Sequence, residues 1–167
     1  GTATNPVRAT VRVGSLPYGA VVPPDSAHVY VSNGLDSTVS VIDTATNTVA
    51  TTIAVGTGPA GITVSANGSH VYVAIHLANT VSVIDTATNT VTATIAVPGT
   101  PMGVAVTPDD SQLYVTALGA NALRVVDVAT GSVIETKTTP APIGIALSPD
   151  AGVAYVTNAF ANSLSIL

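Results

Sequence analysis

The chain has 167 residues, 47% of them hydrophobic, 4% aromatic and 8% charged, with a net charge of −5 and no cysteine. Its only cations are Arg8, Arg12, Arg124 and Lys137, so there is no basic patch to displace counterions and a nucleic-acid partner is not expected. Disulfides, thiolate metal sites and cysteine nucleophiles are excluded. No apolar run approaches the roughly 20 residues that span a bilayer, so no membrane insertion is expected.

In chain order, the first readable segment is Thr2–Gly14. It matches Thr44–Gly56 position for position in its Thr-Ala-Thr-Asn opening and its alternating end, and so reads as a strand standing alone. From there a period of about 42 residues runs to the last residue. Tyr30, Tyr72, Tyr114 and Tyr155 keep that beat, as do Gly19, Gly61, Gly103 and Gly144. The string TVSVIDTATNTV occurs twice without change, at Thr38–Val49 and Thr80–Val91.

The unit Pro59–Thr100 is the clearest. Gly61–Val64 reads as a first strand (A), Ser65–Gly68 as a hairpin turn on Asn-Gly, and Val71–Ile75 as a second strand (B). Val81–Asp85 is a third strand (C) and Val91–Val97 a fourth (D). Between C and D, Asp85 is expected to bond nearby backbone N–H groups. Helix is a poor alternative, because the apolar positions alternate and Gly or Pro interrupts every ten residues or so. At the end of the chain, Ile143–Leu147, Val153–Thr157 and Ser163–Leu167 read as A, B and C without D. Four antiparallel strands per ~40–45 residues is the content of one propeller blade. The expected fold is therefore an all-β propeller with four blades in one domain, 1–167. The repeats run at about 17–58, 59–100, 101–141 and 142–167 plus 1–16, the last blade being shared between the two termini.

The motifs Pro59-Ala-Gly-Ile-Thr-Val, Val71-Tyr-Val and Asn79-Thr-Val-Ser-Val-Ile-Asp-Thr-Ala-Thr-Asn-Thr-Val91 resemble the YVTN repeat family of β-propellers, and Tyr155-Val-Thr-Asn158 is the tetrapeptide itself. The resemblance implies a bacterial or archaeal protein outside the cytoplasm. Similar propellers serve as surface proteins, as lactone-acting enzymes and as scaffolds of redox enzymes, and they usually carry about seven blades, sometimes eight. A chain of four, opening in mid-repeat, is expected to be a half-propeller or a segment of a larger one.

Little in the chain points to catalysis. His28 and His70 share one repeat position at the start of strand B; a metal between them is conceivable, but exposed strand ends tolerant of His, Gln or Val are the better reading. His76 is the one histidine in a B–C loop and has no carboxylate near it in sequence. Asp25, Asp109 and Asp150, and Asp43, Asp85 and Asp127, recur at turns and read as turn formers. No catalytic residue, metal or cofactor is expected. Recognition is placed instead where the repeats disagree: in the B–C loops and at the residue between Pro and Gly before strand A, which by antiparallel counting fall on one face. The candidate ligand-binding residues are Tyr18, Leu35, Asp36, His76, Leu77, Met102, Leu118 and Phe160. The expected role is a non-enzymatic scaffold or binding module for a protein or small-molecule ligand. The alternatives are a piece of a larger propeller enzyme that lacks its catalytic residues, and an engineered blade array. Small side chains between blades favour nearly parallel sheets. The chain is therefore expected to be a homodimer whose eight blades form one ring, with a closed four-bladed monomer as the alternative.

Overall fold

The computed structural model describes residues 6–167. Three four-stranded antiparallel sheets follow one another: β1 (Pro17–Val21) to β4 (Thr48–Ala54) through β2 (His28–Asn33) and β3 (Thr38–Asp43); β5 (Pro59–Val64) to β8 (Thr90–Ala96) through β6 (His70–Ile75) and β7 (Thr80–Asp85); and β9 (Pro101–Val106) to β12 (Ser132–Thr138) through β10 (Gln112–Ala117) and β11 (Ala122–Asp127). The fourth sheet has three strands, β13 (Pro142–Leu147), β14 (Ala154–Asn158) and β15 (Ser163–Ile166). The protein is an all-β array of four blades. One expected pairing is not made within the chain: residues 6–13 form no strand and leave β15 as an open edge, while Thr2–Asn5, the start of the same expected strand, lie outside the described residues.

The local chemistry accounts for each blade. In β7 four successive residues, Val81 to Ile84, are buried, because a central strand of one blade is covered by blades on both sides. The outer strand β8 keeps Ile95 inside and turns its threonines to water. The C–D turn is built as expected: Asp85 Oδ1 accepts the Thr88 N–H and hydroxyl, both at 2.8 Å. Asp43 and Asp127 do the same for Thr46 and Thr130. Asn47, Asn89 and Gly131 close these turns in the left-handed region, which Asn and Gly enter at least cost. After Val83↔Ala93 the register jumps to Ile84↔Val91, a bulge that leaves Thr92 unpaired and sharpens the twist.

Blades stack through two kinds of face. Tyr30, Val39, Val41 and Ile53 of the first blade pack on Val71, Val73, Ile75 and Ile84 of the second. The second blade packs on the third in the same way through Tyr72, Val81, Val83 and Ile95. Tyrosine hydroxyls pin the seams: Tyr30 donates to Asn89 Oδ1 at 2.6 Å and Tyr72 to Asp110 Oδ1 at 2.9 Å. Strands β1, β5, β9 and β13 lie side by side along the inner edge, while the outer strands hardly touch. The blades therefore fan outward. No comparable packing joins β13 back to β1, so the four blades form an open arc.

Candidate functional site

The concave side of the arc is lined by the four A strands. Their glycines are there because neighbouring backbones come too close for a side chain. A Cβ on Gly61 would fall on the Met102 carbonyl oxygen, and one on Gly103 on the Ile143 carbonyl oxygen. Buried hydroxyls fasten these strands together. Thr116 Oγ1 accepts the Gly103 N–H and donates to Ile143 O, both at 2.7 Å. In the first blade Ser32 Oγ accepts the Gly19 N–H at 3.0 Å and donates to Ala60 O at 2.7 Å. The result is a shallow cavity of about 250 Å³ that touches all four blades, with Tyr18, Ile62, Met102, Ile143 and Ile145 among its walls. Of the candidate residues, the fold brings Tyr18 and Met102 together here.

The other six lie in the B–C loops. These loops share a face with the D–A junctions, since the Gly34, His76, Leu118 and Ala159 N–H groups donate to Leu16, Gly58, Thr100 and Ala141 carbonyls in turn. Leu35, Leu77 and Phe160 stand exposed at one repeat position, where the third blade has Gly119. Leu118 is half-buried in the short turn Leu118–Ala120. His76 and Asp36 have structural partners that the sequence did not reveal: His76 Nδ1–H donates to Gly58 O at 2.6 Å, and Asp36 Oδ2 accepts the Ser15 N–H at 2.6 Å. Both side chains anchor their loops.

Three further clefts open between blades at the A–B and C–D turns, and sequence reasoning did not single them out. One of about 440 Å³ is lined by Asp109, Ser111, Tyr114 and Asp150. His70 and Tyr72 line a second of about 370 Å³, and His28 and Tyr30 a third of about 330 Å³. His28 and His70 thus face different clefts. Among the described residues no group of three or more His, Cys, Asp or Glu side chains converges as metal ligands would.

Asp109 and Asp150 in the first of these clefts, and the aspartates of the C–D turns, are held charged. The Thr107 hydroxyl first, then the Ser111 hydroxyl and N–H, bring Asp109 down to about 2. The Thr or Ser hydroxyls and turn N–H groups beside them keep Asp43, Asp85, Asp127 and Asp150 below the usual carboxylate range as well. Such groups do not trade protons near neutral pH. Burial, and then the bond to Asp110, push the Tyr72 hydroxyl up. His70 Nδ1 sits 2.8 Å from Ser69 Oγ and 3.8 Å from Asp110 Oδ2. Hydroxyl and carboxylate meet the same ring nitrogen, so the imidazole does not relay between them as a triad base does, and the Ser69 hydroxyl also bonds Asn67 Oδ1 at 2.8 Å.

Four-stranded blades fanned about a common inner edge, with variable loops on one face, define a β-propeller. The family model described as YNCE-like beta-propeller matches residues 15–95 and 61–150, and the chain belongs to that family. It is similar to a solved Kuenenia stuttgartiensis Hydrazine Synthase chain, with TM-score 0.79 and 25% identity over 90% of this chain and 44% of that one. It is also similar to a functionally unknown protein from Desulfotomaculum acetoxidans DSM 771, with TM-score 0.81 and 20% identity over 93% of this chain and 52% of that one. The chain therefore spans about half the length of these solved chains. No curated protein matches it. With 1133 solved chains matching, the likeness identifies an architecture and no particular activity.

Proposed function

We propose that the chain is a non-enzymatic propeller scaffold that binds a protein or small-molecule ligand on the face carrying the B–C loops and the mouth of the inner cavity. The observation that carries this reading is the make-up of that cavity: glycine backbone and apolar side chains, with the Tyr18 hydroxyl as its one side-chain group able to donate a hydrogen bond. Such a surface can recognise shape and apolar groups, and no carboxylate, imidazole or amine lines the cavity. The exposed Leu35, Leu77 and Phe160 extend it outward. An extracytoplasmic location is part of the proposal and rests on the resemblance to YVTN surface proteins.

A second reading is favoured by one observation, the match to 44% of the hydrazine synthase chain. On it, these blades are part of a larger propeller that supports an enzyme. Ligand-observed NMR with a fragment library distinguishes the two. On the first reading, apolar aromatic fragments bind, and Tyr18→Ala with Phe160→Ala weakens them at least tenfold without lowering the melting temperature. Fragment binding unchanged by both substitutions, or turnover of a simple lactone by the chain alone, would exclude the first reading.

A further inference from the structure

The two ends of the arc are each other's complement. On the last blade Tyr155, Leu164 and Ile166 are 40%, 52% and 66% exposed, whereas the same repeat positions in the first two blades, Tyr30, Val39, Val41, Tyr72, Val81 and Val83, are at most 7% exposed. At the other end Val29, Val31 and Ile42 of the first blade are half-buried, where Val71, Val73 and Ile84 of the second are fully covered. The last blade thus shows the surface that elsewhere receives a following blade, and the first blade shows the surface that elsewhere is received.

Polar groups carry the same vacancy. Thr157 Oγ1 accepts the Gly144 N–H at 2.9 Å, as Thr116 does for Gly103, but has no following blade's carbonyl to receive its proton as Ile143 O receives that of Thr116. By repeat position that acceptor is the Tyr18 carbonyl, and the acceptor for the Tyr155 hydroxyl is Asn47, the counterpart of Asn89.

The N-terminal segment completes the match. Leu16 O accepts the Gly34 N–H at 2.9 Å, in the same way that Gly58, Thr100 and Ala141 carbonyls hold the later loops. Residues 6–13 therefore enter the first blade from the position of strand D of a preceding blade, and the last sheet is the one that has no such strand. Carrying over the register of β3 and β4 sets Arg12 opposite Ser163, Val11 opposite Leu164, Thr10 opposite Ser165 and Ala9 opposite Ile166.

We propose that a second copy of this chain fills both vacancies. Its first blade covers the last blade's open face, and its residues 6–13 add the fourth strand to β15, so that two chains close into one eight-bladed ring. Two copies of a four-bladed chain make eight blades, which lies within the roughly four to eight that closed propellers carry. Closure by one copy needs about 90° at each step against about 45° in a ring of eight, and small Val, Ile and Ala side chains fill the seams between these blades. The interface is head-to-tail, and it stays finite because the rotation closes. Capping β15 also removes an exposed edge.

The chain has no cysteine, so a pair placed at Thr10→Cys and Ser165→Cys reports the closure directly. Light scattering of the unaltered chain at low micromolar concentration is expected to give twice the 16.5 kDa of one copy. The oxidised double variant is expected to run as a covalent dimer on a non-reducing gel, and Ile166→Glu to give a folded species of half the native mass. A native mass of one chain, a crosslink confined to one chain, or open-ended polymers would each overturn the proposal.

Discussion

Replacing Thr116 by Val separates the hydroxyl's contribution from that of the side chain's bulk. Thr116 is fully buried, and its oxygen links the Gly103 N–H to Ile143 O with two 2.7 Å bonds. Valine keeps the shape and adds apolar surface, so a purely hydrophobic account makes it neutral or stabilising. The hydrogen-bond account gives the opposite sign. Both backbone groups lose their partner where strands β9 and β13 meet, and each orphaned group costs ~1–3 kcal/mol. After partial relaxation the expected loss is about 2–4 kcal/mol. For a domain of this size that is roughly 5–15 °C in melting temperature. Thr116→Ser, the residue type that the first blade carries at this position as Ser32, keeps the bonds and gives up one methyl, about 0.8 kcal/mol. Calorimetry at one fixed protein concentration, because assembly shifts the melting temperature, should rank native above Ser above Val. A Val variant as stable as the Ser variant would refute the staple.

Gly103→Ala should cost about 1–3 kcal/mol through overpacking against Ile143 O, whereas Gly152→Ala, whose added carbon meets nothing closer than 3.4 Å, should be neutral in the same melting assay; equal effects would count against the close approach of the A strands. Acid should destabilise the fold progressively. Asp109 is lowered from 3.8 to about 2, so the unfolded chain takes up this proton first as pH drops, and the stability from the charged form is present above about pH 4 and lost toward pH 2. Asp109→Asn should lower the melting temperature at pH 7 and flatten its fall between pH 5 and pH 2; a variant as acid-sensitive as the native chain would remove Asp109 from the account.

Most of the blade interior was legible in the residues because it is local. Val81-Ser-Val-Ile-Asp85 alternates and ends in a turn former, and its partners, β6 and β8, lie a few residues away along the chain. The same period placed Tyr18 and Met102 at one level of the cavity. The sequence could not show that His76 and Asp36 are loop anchors, because their partners Gly58 and Ser15 are 18 and 21 residues away across a D–A junction. Nor could it show that Gly61 and Gly103 yield space to carbonyls of the next blade, or that Tyr30 reaches Asn89, 59 residues away. The period counts blades, but it does not set the angle between them. That angle follows from how closely the A strands approach, how the seams between blades pack and how far the outer strands splay, none of which is a property of one repeat. Sequence periodicity therefore established what each blade is, and only packing between blades decided that the arc stays open with matching ends.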